Sequence, residues 1–509
     1  MSAYPVDKGG FFLSRRKPIF YSALMLTGVN LLLRFVGTSF QVYISGRLGP
    51  AGVGLLQLVL SVGSLAMVAA IAGVRTAAMY LTAEELGKHQ EKNIIWILSG
   101  CFGYTIVTSG LISGCVYLFA PQIATHWIRD IRTVDALRLF SAFLPVTCLC
   151  AVMTGYFTAA NRIGTLAAVE IAEQLCSMAV TLMALILWAG DHPGRACMSV
   201  IFGSCTGSCL TLLCLILLRL REESLPGPRI PVRSRLLQTA LPLALADVLK
   251  SGINTAENLM VPRRLGLHPL MKDPLAAFGV LSGMVFPVLM FPACILFGLA
   301  ELLIPELARC AAAGSRLRIR YLVRRSLKAA MLYGLLLGGI MYLVAEPLCG
   351  LLYGHAEAGA QLKRYAVLIP MLYCDAITDA MTKGLGQQKA CVRYNILTSA
   401  MDVALLYRLL PLYGMDGYFF SFVITHLLNF LLSLRRLLKI SGVHLPFHIP
   451  VLTLSAALIS LELASSLPNA AFRCVCFFLL LGATMTLCGI IRKEDASWVK
   501  RLILSPVKT

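Results

Sequence analysis

Uncharged apolar runs recur from one end of this 509-residue chain to the other, as in "LMALILWAG" and "CFFLLLGATMTLCGII". A bilayer core ~30 Å thick takes about 20 apolar residues per crossing helix. Such runs fall near residues 19–44, 52–80, 94–120, 134–158, 165–189, 196–218, 235–260, 276–304, 327–345, 364–384, 394–412, 416–434, 449–467 and 471–491, which makes about fourteen spans. Inside lipid every backbone polar group must be satisfied within its own segment, so runs of this length are read as helices. The expected fold is therefore an all-α polytopic membrane protein. Composition agrees: 58% of residues are hydrophobic and 14% charged, with a mean hydropathy of +0.77, where soluble domains carry about 25% charged residues.

The opening "MSAYPVDKGGFFLSRRKP" is polar, and the first apolar run continues without an A-x-A-type cleavage site, so it reads as a first spanning helix and not a removable signal. The 17 cysteines are scattered through apolar spans with no C-x-x-C pair. In that setting Cys is a small hydrophobe, and neither a disulfide framework nor a metal site is expected. The net charge of +20 is explained by topology. With the amino terminus inside, roughly two-thirds of the 45 Lys and Arg residues fall on cytoplasmic connections and about a quarter on the other side. Those connections include "RCAAAGSRLRIRYLVRRSLK", "RRLLK" and the tail "RKEDASWVKRLILSPVK". Both termini are thus expected in the cytoplasm of a multi-pass protein of the cell membrane. The high pI does not call for nucleic acid, and the Arg clusters beside spans suit anionic membrane lipids.

The chain repeats itself. "SGRLGPAGVGLLQLVLSV" after the first span is echoed by "VPRRLGLHPLMKDPLAAFGVLSGMVFPV" after the seventh, and "TGYFTAANRIGTLAAVEIAEQL" by "TDAMTKGLGQQKACVRYNILTSAMDVAL". Each pair lies six spans apart. The expected organisation is an amino-terminal six-helix lobe (1–218), a basic cytoplasmic linker (219–235), a second six-helix lobe (236–440), and two further helices with a tail (441–509). Parallel repeats of this kind mark transporters, with the substrate site expected where lobes meet.

"LLLRFVGTSFQVYISGRLGPAGVGLLQLVLSVGSLAMVAAIAGVRTAAMYLTAEELG" and "KGLGQQKACVRYN" resemble the stage V sporulation protein B type of polysaccharide and lipid-linked oligosaccharide flippases. These belong to the multidrug/oligosaccharidyl-lipid/polysaccharide (MOP) exporter superfamily, with the MATE drug antiporters and the MVF-type lipid II flippases. The resemblance covers nearly the full chain. It implies a MATE/MVF-like fold and a flippase that moves a polyprenyl-pyrophosphate saccharide for the cell wall, as in peptidoglycan synthesis or sporulation. It also implies that the two added helices form a groove for the lipid tail.

Arg34 lies roughly fifteen residues into the first span, on the order of 20 Å from its cytoplasmic end at 1.5 Å per residue. A charge at membrane depth costs at least ~2.5–3.5 kcal/mol and faces a watery cavity or a partner. Arg47 ends the first span and Arg75 lies in the second. In the flippases that this chain resembles, arginines on the first two helices line a cavity and meet the anionic head group, which assigns Arg34, Arg47 and Arg75 as phosphate partners. The alternative makes Arg34 an ion-pair partner of Glu170 or Glu257. In the seventh span Asp247, Lys250, Asn254 and Glu257 step by three, four and three, and so share one helical face. Lys250 and Asn254 are taken as cavity residues, Asp247 and Glu257 as candidates for ion coupling; the alternative is an Asp–Lys–Glu ladder that only joins helices. Asp375 and Asp379 step by four towards Lys383 on the tenth span, and Asp402 sits in the eleventh. Buried carboxylates exchange protons or hold Na⁺, so Asp375 and Asp379 are further coupling candidates, against simple pairing with Lys383. No other cofactor is implied.

No P-loop, G-x-S-x-G, H-E-x-x-H or dinucleotide fingerprint occurs. The longest loops, ~15–20 residues, are too short for a separate catalytic domain, so no enzyme is expected. The second functional reading is a cation-coupled multidrug (MATE-type) antiporter, whose cationic cargo suits Asp375, Asp379 and Glu257 but not Arg34 or Lys250. The saccharide, the coupling ion and the oligomeric state are not legible.

Overall fold

The computed structural model describes residues 16–490, except 72, 89, 161, 190–191, 222–231 and 444–447. The middle of the basic linker, the carboxy-terminal tail and the first fifteen residues therefore lie outside the described residues.

All fourteen apolar segments fall on helices. The first two share α1 (Arg16–Ile71), bent where Gly49 takes φ +68° ahead of Pro50. Glycine reaches positive φ without a Cβ penalty, and proline has no N–H to continue the ladder. Gly73, at φ +73°, opens α2 (Val74–Gly87). Then come α3 (Ile94–Gln122), α4 (Val134–Ala159), α5 (Ile163–Ala184), α6 (Pro193–Leu220) and α7 (Val232–Leu265). Asp273 accepts a hydrogen bond from the Ala276 N–H and so caps α8 (Pro274–Gly279). A π-turn leads to α9 (Phe286–Met290), and α10 (Cys294–Ala312) follows a bend of 63°. The remaining helices are α11 (Arg316–Tyr353), α12 (Ala356–Ala366), α13 (Ile369–Gly384), α14 (Gln388–Tyr413), α15 (Met415–Ser441), α16 (His448–Ser465) and α17 (Ala470–Leu487). Among the described residues, nine helices are long and apolar enough to cross a membrane, ten if the bent stretch from Pro274 to Ala312 counts as one. The protein is an all-α, multi-pass membrane protein.

The helices form two compact units, 1–283 with 402–418, and 284–401 with 419–509. In the first, Ala77 and Leu81 of α2, Ile97 of α3, Phe157 of α4, Leu215 of α6 and Leu236 of α7 make a buried core. Close approach of backbones is built in with glycine: a Cβ at Gly203 would lie 2.6 Å from the Ser177 carbonyl oxygen, within the G-x-x-x-G beginning there. In the second unit, Phe477 of α17 lies over Gly339 of α11, with Leu335, Ala457 and Leu481 around them.

The bend before α10 leaves backbone carbonyls without helical donors, and an unsatisfied carbonyl at membrane depth costs several kcal/mol. Three tyrosine hydroxyls supply the donors: Tyr333 to Pro292 O (2.8 Å), Tyr353 to Met284 O (3.1 Å) and Tyr373 to Leu289 O (3.2 Å). Tyr373 is fully buried. Tyr373→Phe is expected to lower stability by about 1–3 kcal/mol, the cost of a buried acceptor left alone, while Tyr321→Phe, at an exposed site, leaves it unchanged. Thermal unfolding of both variants in detergent checks this.

Candidate functional site

The first unit collects most of the intramembrane charge. Arg34 and Arg47 are exposed side chains on α1, one on each side of Gly37, and Arg75 is exposed in the first turn of α2. The Gly73 break that starts this turn is pressed against α7, since a Cβ there would meet the Ala240 carbonyl oxygen at 2.4 Å. A Cβ on Gly155 of α4 would lie 2.6 Å from the Arg75 carbonyl oxygen. Arg75 is thus held on a backbone that is clamped from two sides.

Helix α5 brings polar groups to the same unit. A Cβ on Gly37 would sit 3.6 Å from Gln174 Nε2, so α1 passes over α5 one turn from Arg34. Arg75 is within electrostatic reach of Glu170, and Glu173 accepts a hydrogen bond from Thr211 Oγ1 of α6 at 2.7 Å. The alternative pairing for Arg34 named Glu170 or Glu257; the arginine within electrostatic reach of Glu170 is Arg75. Gln174 and Thr211 did not stand out in the sequence, because single neutral polar residues are ordinary helix glue.

On α7 the polar stripe is split between two tasks. Thr255 Oγ1 donates to Ser61 O (3.0 Å) and Asn258 Nδ2 to Ser61 Oγ (2.9 Å), fixing this helix against α1. Asp247, Lys250 and Asn254 are exposed on another face. Among the described residues no ion pair joins Asp247, Lys250 and Glu257. Glu257 is half-buried and hydrogen-bonds with Asp402 of α14, which is buried. A hydrogen bond between two carboxyl groups requires a proton between them; ionised, the same pair is a ready cation ligand.

The second unit holds the other acids. Asn429 Nδ2 of α15 donates to both oxygens of Asp375, at 3.2 and 3.1 Å. Lys383 Nζ lies 2.6 Å from Asp379 Oδ2, the ion pair that i, i+4 spacing allows. Asp379 Oδ1, Asn429 Oδ1 and Ser433 Oγ are buried with no hydrogen-bond partner. Ser421, Thr425, Asn429 and Ser433 form a buried stripe at steps of four along α15. That periodicity was readable, yet small neutral side chains carry no charge to draw attention to it. Carboxylate and amide oxygens without donors suit a hard cation or a proton.

Residues 19–266 match the model of a family described as polysaccharide biosynthesis protein. Arg34, Arg47, Arg75 and the α7 stripe all lie inside that stretch. Stage V sporulation protein B of Bacillus subtilis is 22% identical over 400 residues, covering 75% of this chain and 76% of that protein. The structure of the lipid II flippase MurJ in an inward closed conformation aligns with a TM-score of 0.69 at 12% identity, over 92% of this chain and all of that one. An inward-facing MATE-family multidrug resistance transporter of the MOP superfamily aligns with a TM-score of 0.60 at 14% identity, over 82% and 99%. The chain has the MOP-transporter fold. The flippase and the drug transporter share it, so the fold alone assigns neither activity.

Proposed function

We propose that this protein flips a polyprenyl-pyrophosphate-linked saccharide, a precursor of peptidoglycan or another wall polysaccharide, across the cytoplasmic membrane by alternating access, with both termini in the cytoplasm. The observation that carries this reading is the set of exposed arginines, Arg34, Arg47 and Arg75, on otherwise apolar helices. Guanidinium pairs bidentately with phosphate oxygens, and the cargo carries two phosphates on its head group while its lipid tail stays in the bilayer. Lys250 and Asn254, exposed on α7, add a cation and an amide suited to phosphate and sugar hydroxyls. A cationic drug would meet repulsion from these four positive groups.

Transport against a gradient needs a driving ion. Glu257 with Asp402, and Asp375 with Asp379, are the groups that would take up Na⁺ or H⁺, and the exposed Asp247 of α7 is a further candidate. The test is head-group translocation in liposomes with a fluorescent polyprenyl-pyrophosphate disaccharide. Wild type should flip it, and Arg34→Ala should slow flipping at least ~10-fold, the scale of one lost charge-assisted contact, with an unchanged unfolding midpoint. Export of a cationic dye under an ion gradient, with no flipping by wild type, would establish the antiporter reading instead.

A further inference from the structure

Helix α11 is 38 residues long, about 57 Å at 1.5 Å per residue, against a hydrocarbon core of ~30 Å. Its apolar stretch begins only after Lys328. The preceding turns, "RLRIRYLVRRSLK", place Arg316, Arg320 and Arg324 at steps of four, all exposed, beside a buried row of Ile319, Val323 and Leu327 that anchors the helix. At the end of α15, Arg435 and Lys439 are exposed too. Gly442, which follows α15 at φ +64°, joins the two groups, because a Cβ there would lie 3.0 Å from Arg320 Nη2.

Among the described residues this concentration of like charge has little internal counterweight. Glu306 is the one acidic residue between Pro305 and Lys328, and it is already engaged by Arg318 (2.6 Å) and Arg309 (3.7 Å). A topological bias requires only that basic residues fall on one side. It does not require them stacked at i, i+4, where like charges repel, nor brought together from two separate helices. Leu317 and Tyr321, 82% and 51% exposed, stand out among the arginines. That mixture of protruding apolar groups and guanidinium suits a membrane surface, where rings and aliphatic stems sit at head-group level and cations reach phosphate.

We propose that Arg316, Arg320 and Arg324 of α11, with Arg435 and Lys439 of α15, form a binding surface for the phosphate head groups of anionic phospholipids. In the orientation proposed above, on which the choice of leaflet alone rests, these are lipids of the cytoplasmic leaflet. The surface is built from other residues than the arginines proposed for the cargo, and it ties the second unit to the composition of the membrane.

The test is native mass spectrometry of the full-length protein in detergent, with phosphatidylglycerol and phosphatidylcholine added in competition. Wild type should retain phosphatidylglycerol preferentially. Arg316→Gln with Arg324→Gln should weaken that preference about fivefold for each arginine removed, and Lys272→Gln, in an exposed loop of the first unit, should not. This pair of substitutions leaves Arg320 in place beside Gly442. An unaltered preference in the double variant overturns the proposal. So does equal competition by glycerol 1-phosphate, which would reveal a site for soluble anions. Binding is read without transport, so failure of the flippase reading would leave this result standing, and the reverse holds too.

Discussion

Glu257→Gln is expected to uncouple transport from its driving ion. In the wild type two carboxyl groups from distant parts of the chain share a hydrogen bond, and one of them, Asp402, is buried. Replacing Glu257 by glutamine keeps the shape and removes one ionisable site. Asp402 then faces an amide that donates a hydrogen bond whether or not an ion is present, so binding no longer reports the gradient. In liposomes carrying an imposed Na⁺ or H⁺ gradient, the wild-type flipping rate should rise with the gradient. The variant should flip at its zero-gradient rate, a loss on the order of 10-fold, as expected for a coupling free energy of 1–3 kcal/mol. Asp402→Asn should act the same way. The double variant should be no worse than either single one, because the two groups act as a unit. A purely structural pair would instead lower the unfolding midpoint and slow flipping by the same factor at every gradient.

The elements of this fold were legible because membrane spanning imposes a length. Each apolar segment became helix, and the "GRLGPAG" stretch between the first two segments became the Gly49 bend within α1. What the sequence hid was pairing. Glu257 and Asp402 were each visible as an acid in an apolar span, but they are far apart along the chain, and they meet only because 402–418 folds as part of the first unit. The same holds for Asp375 and Asn429, which meet across α13 and α15. Arg34, Arg47 and Arg75 could be found from one line of sequence, since a lone guanidinium in an apolar run is conspicuous. The polar partners around them, Gln174 and Thr211, could not. The three tyrosine clamps on the bend before α10 were equally hidden: they answer to carbonyls left open by a bend, and the bend is a property of packing.

Backbone contact between α1 and α8 predicts opposite outcomes for two Gly→Ala substitutions. A Cβ on Gly279 would lie 2.0 Å from the Pro50 carbonyl oxygen and 2.6 Å from the Gly54 nitrogen; one on Gly54 would lie 2.3 Å from the Leu275 carbonyl oxygen. These neighbours are main-chain atoms of helices, which cannot turn aside as a side chain can. Gly279→Ala must therefore push α8 away from α1, straining the Ser45 Oγ hydrogen bond to Gly283 O (2.8 Å) four residues later. Overpacking of this kind costs ~1–3 kcal/mol or more. Gly252, within α7, has open space where its Cβ would go. There alanine removes only the excess backbone freedom of the unfolded chain, which stabilises a helix by about 0.5–1 kcal/mol. Thermal unfolding in one detergent should show Gly279→Ala well below wild type and Gly252→Ala at or slightly above it. Equal midpoints for the two variants would mean that α8 does not rest on α1 this closely. The α8 segment also carries the chain from α7, with Glu257, the acid proposed for coupling, into the rest of the protein. A Gly279 variant that still folds should therefore lose ion-driven flipping more than gradient-free flipping, because it is the seating of α7 against α1, through Thr255 and Asn258 on Ser61, that a displaced α8 disturbs.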